Sequence, residues 1–192
     1  MSNDPFAFRM NQQNITLISF GFFRKDFLEK VSKEVKSEFN CQVAIREGHL
    51  DLSEFFDSSR RQYNGNLLLK EIDSLFADES FKTLGIFGVD LFIPILTFIF
   101  GQAMLNGRTG IASLYRLSNE QYGMSANDNL LLDRFIKEVI HELGHTFGLL
   151  HCHVPTCVMR SSTYVEDIDQ KSKNLCPKCR SELQNRNPSQ GQ

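Results

Sequence analysis

The chain has no marked excess of charge of either sign. Its 21 lysine and arginine residues are balanced by 23 aspartate and glutamate residues, which gives a formal net charge of −2 over 192 residues. Proteins that bind nucleic acids or acidic membrane surfaces usually carry a basic patch that contacts phosphate groups. The charge balance therefore predicts neither a nucleic acid nor a membrane as a partner.

The sequence also lacks the marks of export and of a membrane span. Residues 1–5 (Met-Ser-Asn-Asp-Pro) have neither the basic start nor the apolar core of a signal peptide. The most apolar stretch, residues 84–104, is interrupted by Asp90, Pro94 and glycines. This pattern is typical of two buried strands with a break at Pro94 rather than of a transmembrane helix. We predict a soluble, cytoplasmic protein that acts as a monomer.

Length and apolar content indicate one folded domain. Hydrophobic residues make up 41% of the chain and include 17 phenylalanines, as expected of a globular protein. A chain of this length suits a single domain with a substantial core. We predict a domain over residues 1–184, with an N-terminal subdomain over 1–148 and a smaller C-terminal subdomain over 149–184. The polar residues 185–192 are predicted to form a disordered tail.

The hydrophobic periodicity changes several times along the first two thirds of the chain. Apolar runs rich in β-branched and aromatic residues predict strands, and apolar residues three and four apart with charges between them predict amphipathic helices. The predicted strands cover residues 14–21, 41–46, 83–89, 97–102 and 111–117, the predicted helices cover residues 24–39 and 67–76, and residues 49–66 are predicted to form a loop. The order β-α-β-α-β-β-β predicts an α/β (α+β) fold in which a sheet packs against helices.

A long helix is predicted from about residue 128 to residue 147, with Asp128 as a suitable N-cap residue. Its apolar face would pack beneath the sheet and consists of Leu132, Phe135, Ile136, Val139, Ile140, Leu143 and Phe147. Packing of this face would fix the polar side chains on the flank of the helix before any ligand arrives.

The end of this helix carries the motif H-E-x-x-H-x-x-G-x-x-H, formed by residues 141–151. His141 and His145 are four residues apart, so both imidazoles can point at one metal ion. Gly148 can let the chain leave the helix with a positive φ, and His151 can then return as a third ligand. Three protein ligands with one open position are typical of a catalytic zinc site.

Glu142 directly follows the first of these histidines, which places its carboxylate beside the metal rather than on it. That is the position of a general base for a water molecule. A histidine pair on an amphipathic helix is more often a solvated or hydrogen-bonded pair. Here three of the five histidines of the chain occur at the motif spacing, together with the glutamate and the glycine. The eleven-residue motif is specific, so we favour the metal site.

Four of the five cysteines lie in the last quarter of the chain, as Cys152, Cys157, Cys176 and Cys179. Without a signal peptide, thiolates or a metal are favoured over disulfides. The spacing of the two pairs predicts a closed structural zinc site with four thiolates. A redox C-x-x-C pair and scattered core cysteines are the alternatives, and His153 could replace one cysteine as a ligand. We therefore expect two zinc ions per chain, one catalytic and one structural.

The two expected metal sites meet at His151 and Cys152. Adjacent side chains of an extended segment point to opposite sides. His151 can therefore face the catalytic metal while Cys152 faces the structural metal, and the structural zinc would hold His151 in position.

Basic residues near the second cysteine pair also allow another interpretation, a zinc ribbon that binds nucleic acid. These residues are Lys171, Lys173, Lys178 and Arg180. Basic residues around a zinc knuckle are usually its solvated surface, and the net charge argues against a phosphate-binding footprint.

The run H-E-x-x-H-x-x-G-x-x-H-C-x₄-C-x-M, followed by C-x-x-C, resembles the archaemetzincins, a family of metzincin-clan zinc metallopeptidases, over residues 141–179. The resemblance implies a metzincin-like twisted mixed five-stranded sheet, whose antiparallel edge strand (here residues 97–102) borders the cleft. It also implies an active-site helix and a small zinc-stapled C-terminal lobe. It places Met159 beneath the catalytic metal in the so-called Met-turn, although a lone methionine is more often plain core. The spacer from Met159 to Cys176 is about one residue shorter than in the family.

These observations predict a zinc-dependent metallopeptidase that acts on peptides or proteins. Glu142 would take the proton of a water molecule and pass it to the leaving amine. The alternative is a catalytically weak or inactive metzincin scaffold that binds peptides or partner proteins; the presence of Glu142 favours the enzyme. Tyr164 is a candidate for stabilising the oxyanion, but an exposed packing tyrosine is the commoner role. Internal and end-directed, aminopeptidase-like cleavage both stay open.

Overall fold

The computed structural model describes residues 14–76 and 81–186. Its strands are, in chain order, β1 (Asn14–Phe20), β2 (Gln42–Gly48), β3 (Phe56–Asp57), β4 (Gln62–Asn64), β5 (Lys82–Phe87), β6 (Leu91–Phe92), β7 (Gly101–Ala103) and β8 (Thr109–Ser113). Its α-helices are α1 (Lys25–Phe39), α2 (Gly65–Phe76), α3 (Asp128–Thr146), α4 (Val165–Asp169) and α5 (Pro177–Arg186). Short 3-10 helices cover Leu52–Phe55, Tyr115–Leu117 and Asn119–Tyr122.

Four parallel strands and one antiparallel edge strand form the main sheet. Its spatial order is β2-β1-β5-β8-β7, and β7 runs antiparallel to β8. Two helices, α1 and α2, join the parallel strands β1, β2 and β5, because a parallel pair requires a crossover connection. The predicted α/β class, with a mixed five-stranded sheet and an antiparallel edge strand, is confirmed.

The two faces of the sheet pack against different helices. On β1, Ile15 and Leu17 belong to the core shared with α1 and α3, whereas Ile18 and Phe20 belong to the core shared with α2. This is the alternation expected of a strand that is buried on both faces. The first of these cores also contains side chains from the C-terminal part of the chain, such as Val158. The sheet therefore anchors α3 from one side while the C-terminal segment covers it from another.

Helix α3 has the predicted extent but a different cap. The side chain of Asn127 accepts a hydrogen bond from the backbone N–H of Leu130 over 3.1 Å, so Asn127 is the N-cap residue. Asp128 is the first helical residue and not the cap. The two neighbouring residues are both good cap formers, and the extended backbone of Asn127 (φ −143°, ψ 92°) places it at the boundary.

The edge strand β7 covers Gly101–Ala103 and not residues 97–102 as predicted. The carbonyl oxygen of Thr97 accepts a hydrogen bond from the side-chain amide of Gln62 over 2.9 Å. Ile99 forms an isolated antiparallel bridge with β6. These contacts attach the first half of the predicted strand to another part of the fold, so only its end pairs with β8.

A second, small sheet replaces part of the predicted loop at residues 49–66. Strands β3, β4 and β6 form this sheet, and a 3-10 helix precedes it. Strands of two or three residues have no alternation long enough to detect in a sequence. Pro94 lies in a turn after β6, which confirms the expected break there.

The last strand of the main sheet, β8, ends earlier than the predicted residue 117. The hydroxyl of Ser113 donates a hydrogen bond to the carbonyl of Val89 over 2.6 Å and accepts one from the backbone N–H of Tyr115 over 3.2 Å. This side chain fixes a turn, and the chain continues as a 3-10 helix.

Beyond α3 the chain forms a small lobe with two short helices, α4 and α5. Glu38, at the end of α1, holds this lobe: its carboxylate accepts hydrogen bonds from the backbone N–H of Leu175 over 2.8 Å and from Arg180 over 2.7 Å. Asn185 and Arg186 belong to α5, so the predicted disordered tail begins too early, and residues 187–192 lie outside the described residues. Residues 1–5 also lie outside them. Among the described helices, none is long and apolar enough to cross a membrane.

Candidate active site and structural metal centre

Three histidine side chains converge at the end of α3. His141 and His145 lie on its last turns, and His151 follows after the turn at Gly148, whose φ is +87° as predicted. One ring nitrogen of each histidine lies within 4.8 Å of the others. The Nε2 atoms of His141 and His145 are 3.1 Å apart. A tetrahedral zinc site with Zn–N bonds of about 2.0–2.1 Å separates its nitrogens by roughly 3.3 Å, so this donor set fits zinc.

Backbone carbonyls fix the orientation of two of the rings. Nδ1 of His141 lies 2.9 Å from the carbonyl oxygen of Val158, and Nδ1 of His145 lies 2.8 Å from that of Leu149. A carbonyl oxygen only accepts, so both Nδ1 atoms carry the proton. The Nε2 lone pairs are then free to point into the cluster, which is the arrangement found around metal-binding histidines.

The environment also keeps these imidazoles neutral. Burial lowers the pKa of His141 well below its ordinary value, and the positive charge of Lys171 lowers it further. Burial is likewise the main cause of the lowered pKa values of His145 and His151. A neutral imidazole is the form that binds a metal ion.

A cavity of about 320 Å³ opens beside His141 and His151. Residues 96–101, which lead into β7, form one of its walls, and residues 161–164 form another. Tyr164 is 65% exposed and lies in this second wall. It is therefore an exposed tyrosine at the rim of the cavity, which leaves both of its predicted roles open.

Glu142 lies on the wall of this cavity and is itself buried. Gly101 of β7 packs against it so closely that a Cβ atom at position 101 would lie 2.7 Å from Cγ of Glu142. Burial raises the pKa of the Glu142 carboxyl group well above its usual value, and the charge of Glu138 raises it further. A raised pKa makes the ionised carboxylate a stronger base, as a general base for water requires.

Two side chains of the cavity were not anticipated as site residues. Glu138 precedes Glu142 by one helical turn and is buried beside it. Its spacing in the sequence is a signal that could have been used, because residues four apart share a face of a helix. Lys171 is only 3% exposed and lines the cavity. The interpretation of Lys171 as a solvated surface residue is therefore wrong, because the turn after α4 points it inward.

The four clustered cysteines form a second group of potential ligands. The sulfur atoms of Cys152, Cys157, Cys176 and Cys179 lie within 4.8 Å of one another. Two of the separations, Cys152 to Cys176 and Cys157 to Cys179, are 3.8 Å. A tetrahedron with Zn–S bonds of about 2.3 Å has edges of roughly 3.8 Å. The donor set fits a structural zinc ion, and His153 does not belong to the cluster.

Backbone groups around this cluster favour thiolates. The backbone N–H of Val154 lies 3.5 Å from the sulfur of Cys152, and that of Cys176 lies 3.4 Å from the sulfur of Cys157. Burial opposes ionisation of Cys176, but hydrogen bonds from the Cys179 backbone and from neighbouring thiols lower its pKa to about 7. Burial raises the pKa values of Cys157 and Cys179, so a bound metal ion would be needed to ionise these two thiols. The thiolate is the form that binds metal.

The segment Cys157–Met159 connects the two groups. Cys157 belongs to the thiol cluster, the carbonyl of Val158 faces Nδ1 of His141, and the sulfur of Met159 contacts Gly144 of α3. His151 and Cys152 fall into different clusters, as their adjacency predicts. This short segment therefore links the thiol cluster to the histidine cluster.

The chain is similar to one family of peptidases over most of its length. The model for peptidase family M54 matches residues 15–185. The archaemetzincin of Thermococcus kodakarensis is 35% identical over 175 residues, which cover 88% of this chain and 94% of that relative. The crystal structure of archaemetzincin from Methanopyrus kandleri superposes with a TM-score of 0.81 at 31% identity and covers 93% of this chain and 97% of that chain. The crystal structure of a zinc-dependent peptidase from Methanocorpusculum labreanum superposes with a TM-score of 0.75 at 31% identity and covers 88% of this chain and 99% of that chain.

Proposed function

The chain belongs to peptidase family M54, the family of its archaemetzincin relatives, and we propose that it hydrolyses peptide bonds. The reaction would use a zinc ion held by His141, His145 and His151. The observation that carries the proposal is the convergence of three imidazoles next to a buried carboxyl group and an open cavity. When bound, zinc would supply a Lewis acid that activates water and polarises the scissile carbonyl group.

Glu142 is the general base of the proposed reaction. Its carboxylate would accept a proton from the attacking water molecule and then deliver this proton to the nitrogen of the leaving amine. Contact with Gly101 restricts the carboxyl group to the cavity wall. The burial of Glu142 also reduces competition from bulk water for the proton.

The substrate is proposed to be an extended peptide that lies along β7. This strand is at the edge of the main sheet, and Gly101 at its start lines the cavity. A peptide can pair with the free backbone groups of such an edge by β-augmentation. We propose peptides or proteins as the substrates and assign no role to nucleic acids or membranes.

A second zinc ion is proposed at Cys152, Cys157, Cys176 and Cys179, with a structural role. Four thiolates leave no open coordination position for a substrate. The lobe that they connect, residues 149–184, is proposed as the C-terminal subdomain that supports His151 and Met159.

A comparison of the zinc-loaded protein with its Glu142→Ala variant tests the proposed function. Both are incubated with a mixture of defined peptides, and the products are identified by mass spectrometry. We expect cleavage by the wild type and a loss of about 10²–10⁴-fold in the variant, with unchanged zinc content because Glu142 is not a ligand. Equal cleavage by both proteins would reject Glu142 as the base.

The same experiment separates the remaining alternatives. Peptides with an acetylated N-terminus resist an aminopeptidase but not an endopeptidase. Peptide binding without any cleavage, at full zinc occupancy, would favour the catalytically inactive scaffold over the enzyme.

A further inference from the structure

Glu138 and Glu142 form a pair of buried carboxyl groups on one face of α3. They are four residues apart, and both are buried and line the cavity beside the histidines. A buried charge without a partner is costly, and the structure must compensate it.

Lys171 supplies the compensating charge. Its side chain is buried, lines the same cavity and interacts electrostatically with both Glu138 and Glu142. Its Nζ atom donates a hydrogen bond to the carbonyl oxygen of Arg160 over 2.8 Å. Arg160 directly follows Met159, so the ammonium group is held in place by the segment that packs against α3.

We infer that Glu138 and Lys171 are positioning residues that hold the carboxyl group of Glu142 where the proposed reaction needs it. Glu138 packs beside this group on the same face of α3, and Lys171 provides a buried positive charge in the same cavity. Gly101 also packs against the Glu142 side chain. The inference rests on the proposed function, because it assigns these residues to the base of that reaction.

The first test is the position of Glu142 in a crystal structure of the Lys171→Met variant. Without the ammonium group, the carboxyl pair lacks its counter-charge, and we expect Glu142 to move away from Gly101. The carboxyl group of Glu142 in its wild-type place would overturn the inference. This result is decisive whether or not the protein cleaves peptides, so it is independent of the proposed function.

Conservative variants separate positioning from a general loss of structure. Glu138→Gln keeps the size and shape of the side chain, whereas Glu138→Ala leaves a gap beside Glu142. Lys171→Arg keeps the charge, whereas Lys171→Met removes it. We expect the first variant of each pair to retain most of the activity. We expect the second to lose about 10²-fold in kcat, the effect of a displacement near 1 Å, with little change in KM.

Combining the two damaging changes tests whether they act through the same group. If both act on Glu142, the double variant Glu138→Ala, Lys171→Met loses no more activity than the more damaged single variant. Losses that multiply would show independent roles, such as substrate binding by Lys171, and would overturn the inference.

Lys137→Met is the matched control. Lys137 is also a buried lysine, and its Nζ atom contacts the carbonyl oxygen of Ile168 at 3.2 Å and the carboxylate of Asp133 at 2.6 Å. It therefore connects α3 to the same lobe without lining the cavity. We expect an unchanged kcat and an unchanged position of Glu142. A loss equal to that of Lys171→Met would mean that any buried lysine at this junction is required, and would overturn the specific role of Lys171.

A ligand that needs no turnover completes the test. A peptide hydroxamate chelates zinc and can donate a hydrogen bond to the Glu142 carboxylate. We expect its affinity for the zinc-loaded protein to fall in Glu138→Ala and Lys171→Met and to persist in Lys137→Met. Failure of the wild type to bind the hydroxamate would count against the proposed function, while equal binding by all variants would count against the inference.

Discussion

The carbonyl oxygen of Val158 lies 2.9 Å from Nδ1 of His141. Its neighbour Cys157 belongs to the thiol cluster, and its other neighbour Met159 is buried against α3. The backbone N–H of Cys152 donates a hydrogen bond to the carbonyl oxygen of Met159 over 2.9 Å. The segment that carries Cys157 therefore sets the orientation of a histidine in the other cluster.

This connection predicts that loss of the structural zinc damages the histidine site. Cys176→Ser should weaken zinc binding at the thiol cluster, whose contribution in small zinc modules is on the order of 10 kcal/mol. We expect the lobe to loosen, and the affinity of the histidine site for zinc to fall as a consequence. Limited proteolysis should cut the variant selectively between about residues 152 and 179.

The reverse change should have a local effect. His141→Ala removes one histidine from a helix whose buried face includes Leu143 and Phe147, so α3 should stay packed. We expect the variant to lose the catalytic zinc but to resist the protease in the lobe. Equal protection of His141→Ala and Cys176→Ser would show that the thiol cluster does not support the histidine site.

The two sites are also expected to release metal at different rates. Protein purified under mild conditions should contain two zinc ions per chain, because both donor sets fit tetrahedral zinc. A brief treatment with a chelator should remove the ion at the open histidine site first, since four thiolates enclose the other ion. Metal analysis before and after treatment measures this. One metal ion at most in folded protein, with four reactive thiols, would exclude the second site.

The grouping of the candidate metal donors was predictable from the sequence because their spacing is local. His141 and His145 are fixed by helical geometry, and a single turn brings back His151. The Cys176–Cys179 pair is equally local, and only the tertiary structure brings this pair next to Cys152 and Cys157. Lys171 shows the limit of this reasoning. No periodicity of the sequence predicts that a lysine after α4 turns into the cavity, because its ammonium group is held by the backbone carbonyl oxygen of Arg160.

The edge strand illustrates a second limit. The apolar run before β7 has strand character throughout, but Thr97 and Ile99 make their hydrogen bonds with the small sheet. Hydrophobic pattern predicts that a segment is extended and buried, but not which neighbour it pairs with. The choice depends on polar partners such as Gln62, which are far away in the sequence.

Close packing at Gly101 leads to a prediction for the general base. An alanine Cβ at this position would lie 2.7 Å from Cγ of Glu142 and 2.7 Å from the carbonyl oxygen of Ile111. The contact with the backbone oxygen of β8 requires a small shift of β7, and the contact with Cγ requires the Glu142 side chain to move. Gly101→Ala should lower kcat by about 10²-fold, as expected for a displacement near 1 Å, and should leave the zinc content unchanged.

Gly88→Ala is the control for this substitution. Apart from its chain neighbours, no atom of the described residues lies within 4 Å of a Cβ atom at position 88, so this substitution adds the same methyl group without the contact. We expect wild-type activity and zinc content. Full activity of Gly101→Ala would mean that the contact does not fix the position of Glu142.

Lys82 is expected to make the free energy of unfolding depend on pH in the alkaline range. Its buried Nζ atom donates hydrogen bonds to the carbonyl oxygens of Gly107 and Thr146, each over 2.7 Å. Burial, and secondarily the charge of Arg108, lowers its pKa from 10.5 to about 8. Between these two values the unfolded chain binds more protons than the folded one, so the free energy of unfolding rises with pH.

The test compares the wild type with Lys82→Met by urea denaturation at constant zinc concentration. Below about pH 8 Lys82 is charged in both the folded and the unfolded protein, so the difference in unfolding free energy between the wild type and Lys82→Met should be constant. From about pH 8 to pH 10.5 this difference should increase in favour of the wild type, by on the order of 1–3 kcal/mol. Ionisation of the cysteines and tyrosines cancels, because both proteins share them. A difference that does not change with pH would show that Lys82 is charged in the folded protein throughout this range, stabilised by the two carbonyl groups that it contacts.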